Sequence, residues 1–117
     1  MTERTLTVDS RSHPSGATVL TVSGELDHHT AGQLRAAVEG ATYPPAGTVL
    51  DCTGLGYCDS TGITVLVTAY HRAQAAGSPL VLAGLSADLL RVFRIVGLDQ
   101  IFSYRPTVGE ALEALAP

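Results

Sequence analysis

Lysine does not occur in these 117 residues, and all seven basic side chains are arginine. That absence removes a P-loop lysine, a Schiff-base lysine and any Ser–Lys nucleophile pair. Tryptophan is also absent and aromatics are only 5%, so stacking platforms for bases are poorly supplied. The formal net charge of −4 disfavours non-specific binding to nucleic acid or to an anionic membrane. Cysteine is limited to Cys52 and Cys58, whose spacing fits neither a CxxC redox motif nor a zinc knuckle. Their simplest role is that of small apolar packing residues. No apolar run approaches the ~20 residues of a membrane-spanning helix. The start, Met1-Thr2-Glu3-Arg4, lacks the apolar stretch of a signal peptide. Free thiols without an export signal lead us to expect a cytoplasmic protein with no nucleic-acid or membrane partner and no cofactor.

What is present suits one compact domain spanning residues 1–117, with 45% hydrophobic and 15% charged residues. Leu6-Thr7-Val8 alternates as a short strand does, and Thr18–Ser23 is β-branched, so the two are expected to form a hairpin around Ser12–Gly16. Gly24 is expected to break the second strand. From Thr30, Leu34, Ala37, Val38 and Ala41 recur at helical spacing until Pro44-Pro45. Thr48-Val49-Leu50 and Leu80–Ala83 read as buried strands. The segment Cys52–Asp59, with two glycines, reads as a loop.

Residues 60–76 favour helix despite the β-branched run Ile63–Val67, because good helix formers follow and Gly77-Ser78-Pro79 ends them. Ser86 caps a further helix with Leu89, Val92, Phe93 and Val96 on one face. Ile101–Tyr104 reads as the last strand. Thr107 and Glu110 form a capping box for a final helix bearing Leu112 and Leu115. The predicted order is β-β-α-β-α-β-α-β-α. It implies an α/β fold with a mixed, mainly parallel sheet, an N-terminal β-hairpin and helices packed on the sheet.

The chemically informative stretch is Asp51–Gly62, which follows the third strand, because ligand and control sites in parallel α/β sheets gather at strand carboxyl ends. It delivers Ser60 to a helix start, where unpaired N–H groups and the helix dipole favour a phosphate. Simple N-capping by Asp59-Ser60-Thr61 explains the same residues. His28 and His29, with Glu25 and Asp27, raise the question of a metal. Helix-borne ligands sit at i, i+4, however, and adjacent His side chains are expected to diverge, so a polar loop read by a partner is preferred and no metal is expected. His71 and Arg72 are read as a solvated helix face.

Gly24-Glu25-Leu26-Asp27-His28-His29-Thr30-Ala31, followed about thirty residues later by Cys58-Asp59-Ser60-Thr61-Gly62, resembles the anti-anti-sigma branch of the STAS domain family. Arg91-Val92-Phe93-Arg94-Ile95-Val96-Gly97-Leu98 is similar to that family's R-x-F-x-x-x-G-L pattern. The resemblance implies an anti-sigma-factor antagonist rather than an enzyme. It implies an unphosphorylated form that binds an anti-sigma serine kinase using ATP, so freeing the sigma factor. Phosphorylation at Ser60 would break the complex, and a metal-dependent serine phosphatase would restore it. Under this resemblance Ser60 is the acceptor, with Thr61 a second hydroxyl, and Asp59 caps the helix and contacts the kinase. Gly62 admits the partner's backbone or eases the turn, and Gly24, Glu25 and Asp27 form the neighbouring binding face.

Three readings compete, and one of them, an orphan module, stays inside the family. An aspartyl-phosphate receiver would use Asp51, but it needs an early acidic cluster and a late lysine. An orphan STAS module would act on a non-sigma partner without this kinase. A serine hydrolase would need Gly-x-Ser-x-Gly, which is not present.

Overall fold

A computed structural model describes residues 5–117; the Met1–Arg4 start read above for a leader lies outside them. The chain begins with β1 (Leu6–Ser12) and β2 (Thr18–Leu26), then α1 (Ala31–Gly40) and β3 (Thr48–Asp51). Next come β4 (Leu55–Cys58), α2 (Ser60–Ala75), β5 (Leu80–Ala83) and α3 (Ala87–Ile95). A 3-10 turn at Leu98–Gln100, β6 (Ser103–Arg105) and α4 (Val108–Leu115) complete it. The sheet order is β1-β2-β3-β5-β6, with β4 pairing β2. Among the described residues, only β1 and β2 run antiparallel, from Leu6 opposite Gly24 to Ser12 opposite Thr18. The other pairs are parallel. The α/β class, the opening hairpin and the mainly parallel sheet are as the sequence indicates.

Strand alternation divides the core between two faces, since successive side chains point oppositely. Leu20, Leu50 and Leu82 join the core beneath α1, α2 and α3, with Leu34, Val38, Leu66, Leu89 and Phe93. Their neighbours Val19, Val49 and Val81 face the other way and meet Ala111, Leu112 and Leu115 of α4. Burial on both sides is why β5 reads as an unbroken apolar run and β3 carries Val49-Leu50 at its centre. The β-branched front of α2 is held helical by tertiary packing, with Val65 and Leu66 buried. Two of its threonines also satisfy the helix locally. The Thr64 hydroxyl donates to the Ser60 carbonyl at 3.0 Å, and that of Thr68 to Thr64 at 3.0 Å.

Four expectations need correction. Gly24 does not end β2; its φ of +103° and a register shift at Gly24/Glu25 make a bulge, and the strand continues to Leu26. The segment expected to be loop contains β4, which takes the edge of β2 beyond the end of β3. Its burial is not alternating, because Leu55 and Cys58 are buried while Gly56 and Tyr57 are exposed, so no period-2 signal existed. On α3 only Leu89 and Phe93 of the expected face are buried, and Val92 and Val96 are exposed. The last strand starts at Ser103 because Leu98–Gln100 first closes a 3-10 turn, which leaves Phe102 in the core. The predicted caps are realised: Ser86 accepts from the Leu89 N–H and Thr107 from the Glu110 N–H.

Candidate functional site: one surface from two loops

Strand β4 joins the two motifs that the sequence holds thirty residues apart. Glu25 lies beside Tyr57 and Leu26 beside Cys58 in the β2–β4 ladder. The Asp59 N–H then donates to the Leu26 carbonyl at 3.1 Å. Beyond the ladder, the Asp59 carboxylate makes the next link. Its Oδ1 accepts from the Gly62 N–H at 2.9 Å, which caps α2, and its Oδ2 accepts from the His28 N–H at 3.1 Å. One side chain therefore ties the start of α2 to the loop between β2 and α1.

These backbone donors, that of Gly62 foremost, hold the Asp59 carboxyl below the ordinary aspartate range despite partial burial and the nearby Asp27 charge. A carboxyl depressed in the folded state contributes stability that is fully present above its unfolded value, near 3.9. That contribution is lost as pH falls through the lower, folded value. The stability gap between the native protein and Asp59→Asn is therefore expected to narrow from pH 5 toward pH 2 in urea titrations. A gap that widens over that range would contradict the assignment.

Ser60 is exposed in the first turn of α2, and Thr61 beside it is half-buried. Gly62 is buried, and its role lies inside the protein. A Cβ there would sit 2.5 Å from Leu26 Cγ and 3.0 Å from Cys58 Sγ, so the glycine lets α2 settle onto β2 and β4. This packing role was not among the two expected of it, admitting a partner's backbone or easing the turn.

Asp27 is also internal, at 3% exposure. Its Oδ1 accepts from the His29 N–H at 2.8 Å and the Thr30 N–H at 3.1 Å, and lies 3.3 Å from the Thr30 hydroxyl oxygen. Thr30 Oγ1 accepts from the Asp27 N–H at 3.0 Å and donates to the Glu25 carbonyl at 2.8 Å. Asp27 thus shapes the loop between β2 and α1 from beneath, and half-buried Glu25 and Gly24 precede it. A side chain on Gly24 would also collide with the Thr5 carbonyl.

Thr30 and the exposed Tyr57 were not singled out from sequence. The Asp-x-x-Thr spacing was the available signal for the former. His28 and His29 do not diverge as expected: their ring centroids lie 4.0 Å apart. His71 and Arg72 are exposed, as expected.

Asp51 is committed to a turn, accepting at Oδ1 from the Thr53 N–H at 3.0 Å and its hydroxyl at 2.6 Å. Cys52 and Cys58 are buried free thiols. Burial pushes both up, Cys58 to about 12, so they are packing groups at neutral pH. Among the described residues, no group of three or more His, Cys, Asp or Glu could hold a metal ion. Nor is any described helix long and apolar enough to cross a membrane. Two clefts of about 360 and 390 Å³ are lined by other parts of the chain, and neither includes Ser60. Ser60 stands exposed, outside both clefts.

Residues 10–106 match the family model described as Mlab, STAS domain. The chain is 41% identical over 91 residues to an anti-sigma-B factor antagonist of Listeria monocytogenes, covering 76% of this chain and 79% of that protein. It is 32% identical over 80 residues to the anti-sigma-B factor antagonist of Bacillus subtilis, covering 68% and 73% respectively. The crystal structure of an anti-sigma factor antagonist from Mycobacterium paratuberculosis superposes with a TM-score of 0.85 at 28% identity, over 95% of this chain and 94% of that one. With both motifs on one surface and these relatives spanning most of the domain, the chain belongs to the STAS-domain family of anti-sigma-factor antagonists.

Proposed function

We propose that this protein is an anti-sigma-factor antagonist whose unphosphorylated form binds an anti-sigma serine kinase and thereby releases a sigma factor. Phosphorylation of Ser60 by that kinase ends the complex, and a metal-dependent serine phosphatase reverses it. The observation that carries this reading is the exposed Ser60 on a surface that Asp59 builds from both motif loops. A partner covering this surface would enclose Ser60. Phosphate adds about −1.5 to −2 charge beside Asp59, so burying it against a partner without matching cations incurs repulsion and desolvation. Asp59, Thr61 and Glu25 form the contact surface, with Gly24, Asp27 and Gly62 setting its shape.

The test is capture from source-cell lysate with the native protein, Ser60→Ala and Ser60→Asp, followed by phosphate transfer from ATP in the captured fraction. The native protein and Ser60→Ala are expected to retain a small ATP-binding kinase, and only the native protein should be labelled. Ser60→Asp is expected to bind that kinase at least about tenfold more weakly, or about 1.4 kcal/mol. Retention of identical partners by all three proteins would sink the switch and leave a STAS module acting on a non-sigma partner.

A further inference from the structure

A phosphate on Ser60 calls for positive charge nearby, and the segments that build the site supply little. Residues 12–34 and 36–71 contain no arginine, so their only basic side chains are His13, His28, His29 and His71. Elsewhere, Arg91 pairs with Asp88 at 2.6 Å and Arg105 Nη1 donates to the Tyr104 carbonyl at 2.8 Å. Of the four histidines, His28 is the one joined to the cap of α2. Its backbone N–H is held by Asp59 Oδ2 at 3.1 Å, and its ring Nδ1 lies 3.7 Å from the same oxygen.

That pair of distances matters. The main chain of His28 is fixed beside the residue preceding Ser60, whereas the ring is beyond hydrogen-bond reach of the carboxylate and 66% exposed. The ring is positioned but uncommitted. The Asp59 oxygens, in contrast, already hold the Gly62 and His28 N–H groups. One trans peptide, about 3.8 Å between Cα atoms, separates Asp59 from Ser60. A phosphate dianion there carries more charge and more acceptor oxygens than the carboxylate, and it draws an imidazolium more strongly.

We propose that His28 is the residue that recognises the phosphoryl group of phosphorylated Ser60, its imidazolium turning from Asp59 to the phosphate oxygens. The inference rests on the phosphoswitch reading of Ser60. The charged groups around the ring act in both directions. Asp59, the cap of α2, faces the ring as an anion at 3.7 Å and Asp27 lies in the same β2–α1 connection, while His29, its ring tilted at 40° with the centroids 4.0 Å apart, would face it as a cation when protonated. Phosphorylation raises the proton affinity of His28. Reciprocally, charged His28 lowers the second ionisation of the phosphoserine from its usual value near 6.

The experiment uses the whole chain with phosphoserine encoded at position 60 during translation, so that no kinase is needed. The phosphorus resonance is titrated by NMR from pH 4 to 9 in the native background, in His28→Gln and in His29→Gln. His28→Gln is expected to raise the proton affinity of the phosphate at least about threefold, and His29→Gln by clearly less. In the native background the His28 ring should titrate at higher pH with phosphoserine than with serine. Coincident phosphorus curves for native and His28→Gln, or a His28 ring indifferent to the phosphate, would overturn the proposal. Failure of any kinase to label Ser60 would instead overturn the switch, and this titration would still read out.

Discussion

Asp27→Ala lowers stability by about 2–4 kcal/mol, as read from urea unfolding at pH 7, the largest effect we expect of any substitution around the site. Asp27 lies at 3% exposure and its carboxylate accepts from two backbone N–H groups. Alanine leaves these donors without an acceptor in a region too closed for water to serve all of them. Replacing a contact at the surface would cost far less, since solvent takes over the bond. Asp27→Asn keeps one acceptor oxygen and is expected to lose about half as much. Equal losses for the two variants would show that charge, and not hydrogen bonding, is what Asp27 supplies. Because Asp27 holds the His28–His29 turn, its alanine variant should also weaken the proposed binding of a kinase at temperatures where it remains folded.

Gly62→Ala is expected to cost about 2 kcal/mol and to lower Tm by roughly 8–15 °C. Two effects compete here. Alanine favours helix over glycine by up to about 1 kcal/mol, and less in a first turn. Against this, the new methyl would lie 2.5 Å from Leu26 Cγ, and Leu26 is fully buried and cannot step aside. Overpacking of this kind typically costs about 1–3 kcal/mol, so the clash prevails. Gly32→Ala is the internal control, because a Cβ there meets nothing within 4 Å and should be neutral or slightly stabilising. A Leu26→Ala, Gly62→Ala double variant should lose less than the sum of the singles, since truncating Leu26 makes room for the methyl. Simple additivity would show that the two sites do not press on each other.

Much of this architecture can be read from the chain, and the exceptions share a cause. The caps of α3 and α4 were visible because capping is local: Ser86 and Thr107 each bond an N–H three residues ahead. Helix α2 was legible despite Ile63 and Val65 because Gly77 and Pro79 mark its end and the residues before them favour helix. Strand β4 was not legible, for its four residues alternate neither in burial nor in polarity, and only pairing with β2 makes them a strand. The exposed flank of α3 misled because Val92 and Val96 fit the helical period of the core while their surroundings leave them uncovered.

The site divides the same way. Ser60 and Asp59 could be named from a short motif at a helix start. The bond from the His28 N–H to Asp59 spans 31 residues, and no pattern within either loop announces it. The inward position of Asp27 and the packing role of Gly62 likewise depend on partners elsewhere in the chain.

Among the described residues, the second face of the sheet is covered by helix α4. Val19, Val49 and Val81 are all translated before Val108–Leu115, the segment that shelters them. At roughly 5–20 residues per second, the 32 residues from Ala83 to Leu115 take about 2–6 s to appear. For that interval α1, α2 and the strands that carry these valines exist without the helix that shelters them, and a valine-lined surface remains uncovered. Crowded polysomes would feel that exposure first, and the rate of elongation through residues 84–115 becomes a determinant of how much protein reaches its native state.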